Sequence, residues 1–201
     1  MATRTKDQEG LQKINVKIPL DAPNDFDYDV ILAVFGRWRL EEGEEIIDLA
    51  DYLHVPGGPG CILVSHRWHF GIDFGDDQPG LFFSSRKGLK GKTAQRIARV
   101  VYDSLAKGKR LLSENAIPET ISPRLGELEI AINDRVAAPN TDATDAVVRP
   151  GLTTVLDRLY GKGKYVVERD KNPRHRLGYV VKAEATEGLT FDELTFRLSG
   201  K

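Results

Sequence analysis

Hydrophobic and polar positions along the chain alternate with two different periods. Ile14, Val16, Ile18 and Leu20 alternate with Asn15, Lys17 and Pro19, the period of a half-buried strand, predicted at 13–20. After the turn-rich Asp21-Ala-Pro-Asn-Asp25, the three- and four-residue spacings of Val30, Ile31, Val34, Phe35 and Trp38 predict a helix with one buried face. Ile46, Leu49, Ala50 and Leu53 also share a helical face, opposite Glu44, Asp48 and Asp51, and predict a second helix ending at His54-Val55-Pro56. Gly57-Gly-Pro-Gly60 then reads as a tight turn from helix into strand.

From Cys61 to Phe74 the pattern is period two. Ile62, Val64, His66, Trp68, Phe70, Ile72 and Phe74 fall on one face, which places His66 inside, while Ser65, Arg67, His69 and Asp73 share the other. Turn chemistry at Gly75–Gly80 and a return strand at Leu81–Arg86 complete an antiparallel hairpin. Thr93 is read as the N-cap of a long helix to about Leu112, with Ala94, Ile97, Ala98, Val101 and Leu105 inward.

Residues 113–126, with Pro118 and Pro123, show no period and are read as a linker. Beyond it come a strand at 127–132 and a helix bearing Leu152, Val155, Leu156 and Leu159, between Pro150 and Gly161. Three more strands follow at Tyr165–Arg169, Leu177–Ala185 and Leu194–Leu198. The expected fold is therefore α+β, with mostly antiparallel sheet packed against three to four helices in the order β-α-α-β-β-α then β-α-β-β-β. Its expected organisation is a disordered leader at 1–10, an N-terminal half at 11–112, the linker, and a C-terminal half at 127–201; one compact domain is the alternative.

Composition narrows the classes. The single cysteine, Cys61, excludes an internal disulfide, the first ten residues lack the apolar core of a secretory signal, and charges interrupt every apolar run, so a cytoplasmic chain without a membrane partner is expected. Lysine plus arginine (29) and aspartate plus glutamate (30) nearly cancel. Locally they do not: Glu41–Leu53 holds six acids and no base, and Arg86–Arg110 holds nine bases and one acid. The two stretches are complementary in sign, within one chain or between copies.

Candidate chemistry follows from these placements. His54, His69 and Asp73, with Asp48 or Asp51, are the candidates for an acid/base or metal-assisted site, and Asp51, His54 and His69 are the candidate metal ligands. A solvated polar strand face is the ordinary alternative for that row. Arg67, Arg86, Arg96, Arg99 and Arg110 are the candidate ligand- or partner-binding cations. Cys61 beside Ile62-Leu63-Val64 reads as a small buried hydrophobe. The Gly57–Gly60 turn reads as structural, since Pro59 removes a donor. Asn133-Asp134-Arg135 and Asn140-Thr141-Asp142 read as turn and cap residues that could instead line a cleft.

No motif implies a cofactor. The leading expectation is a non-enzymatic binding or accessory protein acting in a homo-oligomer or larger protein complex. Its alternatives are the histidine-centred enzyme and an anion or nucleic-acid binder using the Arg86–Arg110 helix. Nucleic acid is disfavoured because only Tyr102 offers a stacking ring there.

Overall fold

In the computed structural model, which describes residues 11–199, strand β1 (Ile14–Asp21) is the middle of a nine-stranded antiparallel sheet. The other elements in chain order are α1 (Asp29–Glu42), β2 (Ile46–Asp51), β3 (Pro59–Ser65), β4 (Trp68–Asp73), β5 (Gly80–Ser85), α2 (Thr93–Leu112), β6 (Ser122–Pro123), β7 (Glu127–Ile132), α3 (Asp142–Tyr160), β8 (Tyr165–Arg169), β9 (Leu177–Ala183) and α4 (Phe191–Ser199). The α+β class and the antiparallel pairing agree with the sequence. The leader read at 1–10 lies outside the described residues.

The strands run in the order β2-β3-β4-β5-β1-β7-β9-β8, with β6 added to the end of β1. Directly paired residues share a face. One row therefore crosses the whole sheet: Leu49, Leu63, Phe70, Phe83, Val16, Ile130, Tyr179 and Arg169. The helices cover this face: α1 lies against β2 and β3, α2 against β5 and β1, and α3 and α4 against α2. The core fills the space between, through Ile31, Phe35 and Trp38 of α1, Ile97, Val101 and Leu105 of α2, and Leu152, Val155 and Leu156 of α3. The next row, on the opposite face, is Ala50, Ile62, Gly71, Phe82, Lys17, Glu129, Val180 and Glu168.

Strand β1 pairs with β5 on one side and β7 on the other, so the sheet continues across the stretch read as a linker. That stretch carries β6, which pairs with Leu20 and Asp21.

Four local readings are corrected. Residues 46–51 form an edge strand, not a helix; a bulge between Ile46 and Asp48 inserts an extra residue, so the apolar positions 46, 49 and 50 acquire a helix-like spacing. The Gly57-Gly58 turn accordingly joins two strands, and Pro59 and Gly60 belong to β3. Cys61–Phe74 is two strands joined at His66-Arg67; the two-residue turn inverts the phase, so Cys61 and Leu63 face the core before the turn and Trp68, Phe70 and Ile72 after it, while His66 is exposed. Residues 194–198 lie in α4, where Leu194 and Leu198, four apart, are buried and Phe196 is exposed. Thr190 caps that helix by accepting from the Glu193 N–H at 3.1 Å. Helix α3 also begins earlier than read, at Asp142, because the Thr141 hydroxyl caps it by accepting from Thr144 N–H at 3.2 Å; Pro150 stands inside it.

Candidate functional site

The sequence-derived histidine site does not assemble. His54 is exposed in the β2–β3 turn, and Asp51 accepts from the Leu53 N–H of the same turn at 3.0 Å. Asp48 likewise bonds locally, to the Leu49 N–H. His69 stands on the sheet face away from the helices, where its Nε2 lies 2.8 Å from a terminal nitrogen of Arg86. Burial first, and then the Arg86 charge, pushes the His69 pKa down, so this ring accepts from the guanidinium as a neutral imidazole. Asp73 is held by the buried Lys17 ammonium at 3.0 Å. Among the described residues no group of three or more His, Cys, Asp or Glu side chains is placed to hold a metal ion.

Cys61 is fully buried, and its thiol pKa is pushed up to about 12, chiefly by burial. A thiol that seldom ionises is a poor nucleophile. Native protein is therefore expected to react with a thiol-labelling reagent at least a hundredfold more slowly than protein in 6 M guanidinium, with rates followed by absorbance (~100-fold from the protection that burial gives). Equal rates would place Cys61 at the surface.

Asn140 and its neighbours serve the fold. The Asn140 amide donates to the carbonyls of Asp170, Asn172 and Arg176, Asp134 accepts from Val136 and Ala137 N–H, and Asp142 pairs with Arg169 at 2.8 Å.

The charged residues converge elsewhere, in a cleft of about 710 Å³ between the end of α1, the β3–β4 turn, the loop 86–92 and α2. The loop runs from β5 into α2, and Gly88 (φ +89°) and Gly91 (φ +87°) supply the left-handed turns it needs. It is pinned on both sides. The Gln12 amide donates to the Leu89 carbonyl and accepts from the Leu89 N–H, both at 2.9 Å, and Arg96 donates to the Gly91 carbonyl at 2.9 Å. Arg96, a candidate binding cation from sequence, is thus buried under the loop.

Trp68 forms the inner wall. One face of its ring stacks near Phe83 (6.2 Å, 21°), its N–H donates to Glu45 at 3.0 Å, and the Lys107 ammonium stands 3.7 Å from the ring centroid. Five bases (Arg67, Lys87, Lys90, Arg99, Lys107) and three acids (Glu42, Glu45, Asp103) line the cleft. Each acid is engaged by an arginine: Glu42 by Arg110, Glu45 by Arg67 at 3.4 Å, and Asp103 by Arg99 at 2.8 Å. Burial alone would raise the Glu45 pKa, but hydrogen bonds from Ser65, Trp68 and Arg67 and the Arg67 charge hold it below the ordinary range. Lys87, Lys90 and Lys107 have no carboxylate at ion-pair distance among the described residues. Burial pushes the Lys107 pKa down against the weaker pull of Glu42, Asp103 and Glu45.

Of the five arginines named from sequence, Arg67 and Arg99 line this cleft and Arg110 supports it through Glu42, while Arg86 is paired with His69 and Arg96 is buried. Arg110 also reaches Glu41 at 2.9 Å, so the acidic and basic stretches meet within one chain. The three lysines and Trp68 were not singled out. The signal for Lys87 and Lys90 was a lysine- and glycine-rich segment, Lys87-Gly-Leu-Lys-Gly-Lys92, leading from a strand into a helix, whereas Lys107 and Trp68 carried none beyond the basic run and the strand they belong to.

No helix is long and apolar enough to cross a membrane among the described residues. Comparison with protein-family models gives no match, and no curated protein matches the chain.

Proposed function

We propose that this chain is a non-enzymatic binding protein that takes a small anionic ligand in the cleft between α2 and the loop 86–92. One observation carries the reading: the acids of the cleft are all committed to arginines, and three lysines are left without a carboxylate among the described residues. At Lys107 the cost of burial outweighs the pull of Glu42, Asp103 and Glu45, and an anion arriving there adds a counter-charge. Leu89 and Ala106 add apolar wall beside the charges, and the volume falls in the range of small-molecule sites, roughly 300 to 1,000 Å³. Because Arg110 and Glu41/Glu42 already satisfy one another, the opposite charge runs give no reason of their own to invoke a second copy.

The test is thermal unfolding in low salt with pyrophosphate, phosphate, sulfate and citrate. A ligand at a hundredfold excess over its Kd stabilises by about 2.7 kcal/mol, roughly 5 to 10 °C in Tm for a chain of this size. At least one anion is expected to produce such a shift in the wild type and much less in Lys107→Gln, with the shift declining as salt rises. If none of the four moves Tm, or the variant responds as the wild type does, the reading is wrong.

A further inference from the structure

We infer that the ligand is a small phosphate monoester, its phosphate gathered by Lys87, Lys90 and Lys107 and its apolar body resting on Leu89 and Ala106; this rests on the cleft being an anion site. Charge is the first argument. With Arg110 neutralising Glu42, six bases against three acids leave the cleft with an excess of three positive charges, and a phosphate monoester carries about −1.5 to −2 near pH 7. A monocarboxylate would leave more of that excess unmatched.

Donor geometry is the second argument. A planar carboxylate is best held by the two-pronged fork of a guanidinium, but Arg67 and Arg99 already grip Glu45 and Asp103. The donors without a carboxylate among the described residues are ammoniums. Each is a compact charge with three donors, and they come from two walls, Lys87 and Lys90 from the loop and Lys107 from α2. A tetrahedral group with three free oxygens can meet donors from both walls together.

A base-stacking ligand fits less well. The Lys107 ammonium stands 3.7 Å from the centroid of the Trp68 ring and Phe83 stacks near it, so the indole is already engaged and is not the open platform that single-stranded nucleic acid uses. The apolar surface left to a ligand is aliphatic, at Leu89 and Ala106, which suits the body of a small ester.

Isothermal titration at pH 7.5 in low salt decides the matter with three probes: phenyl phosphate, inorganic phosphate, and benzoate, which keeps the ring but carries a single planar charge. Phenyl phosphate is expected to bind at least tenfold tighter than benzoate and severalfold tighter than inorganic phosphate. Lys87→Gln/Lys90→Gln, at exposed positions, is expected to keep the wild-type Tm and lose at least tenfold in phenyl phosphate affinity. Leu89→Ser is expected to erase the preference for phenyl phosphate over inorganic phosphate while inorganic phosphate binds as before. Benzoate binding as tightly as phenyl phosphate overturns the phosphate assignment and leaves the anion site standing. Inorganic phosphate binding as tightly as its ester overturns the ester and points to free phosphate. Binding of none of the probes, with no Tm response to any anion, removes both this inference and the reading beneath it.

Discussion

Trp38→Ala is expected to lower stability by about 3 to 5 kcal/mol, read as a fall in the urea midpoint with little change in slope. Trp38 is 1% exposed and sits between Phe35 (5.5 Å) and Phe70 (6.3 Å, nearly parallel) where α1 meets the sheet. Its ring is also the surface on which Arg110 lies, 3.9 Å from the centroid, while that guanidinium reaches Glu41 and Glu42. Its indole N–H donates to Glu114 at 2.7 Å, the largest of the influences that hold the Glu114 pKa below its ordinary 4.5. Trp38→Phe separates packing from hydrogen bonding: it keeps a ring, loses the donor, and should cost about 1 to 3 kcal/mol. A carboxyl whose pKa is depressed in the folded state adds stability above its unfolded pKa and loses it as pH falls through the folded value. The acid side of the stability curve should therefore be flatter in Trp38→Phe than in wild type, measured by urea unfolding from pH 3 to 7. A phenylalanine variant as costly as the alanine one, with a flattened acid limb, would mean that the hydrogen bond and not the ring dominates.

The helix bearing Trp38 was legible because its buried face is broad and regular: Ile31, Val34, Phe35 and Trp38 are all buried. Strand β1 was legible for a related reason, since it lies at the centre of the sheet and presents four successive buried residues to the helices, Ile14 through Leu20. The edges were harder. In β2 only Ile46 is buried, and the bulge removes the alternation that would mark a strand. In β3 the run Cys61-Ile-Leu-Val64 is apolar on both faces, so the phase inversion at His66-Arg67 left no trace in the pattern. For α4 the alternation of Leu194, Phe196 and Leu198 masked the four-residue spacing that is actually buried, though Thr190 and Glu193 carried the cap signature.

The candidate cleft was half legible. Its loop has a composition that sequence reasoning can weigh, and the basic run 86–110 marked the right segment. What no spacing rule supplies is which charges cancel. Arg99 and Asp103, four apart on α2, can be paired from sequence, whereas Glu42 with Arg110 and Glu45 with Arg67 join residues that are far apart in the chain. Only the packing of α1 against β2 and β3 separates the engaged arginines from the lysines left unmatched among the described residues.

Gly71→Ala is expected to be at least as damaging as Trp38→Phe, for a reason lodged in the backbone. A Cβ on Gly71 would stand 2.1 Å from the Cys61 carbonyl oxygen and 2.9 Å from the Ile62 Cα. The register of β3 on β4 shifts between Pro59 and Ile62, and this irregularity brings the Cys61 carbonyl over Gly71. No side-chain rotation relieves a contact with main chain, so β3 must move away from β4. The cost should exceed the usual 1 to 3 kcal/mol of overpacking, about 3 kcal/mol or more. Gly36→Ala is the matched control: nothing lies within 4 Å of its Cβ, it is inside α1, and removing a helical glycine should stabilise by roughly 0.5 to 1 kcal/mol. The consequence reaches the cleft, because Ser65 at the end of β3 donates to Glu45 at 3.2 Å, and Glu45 in turn orients Trp68 and Arg67. Amide exchange in β2 and β3 should accelerate in Gly71→Ala ahead of the rest of the sheet, and anion affinity should fall with it. Equal urea midpoints for Gly71→Ala and wild type would show that β3 can yield at no cost, and the bulge would then not be what fixes the inner wall of the cleft.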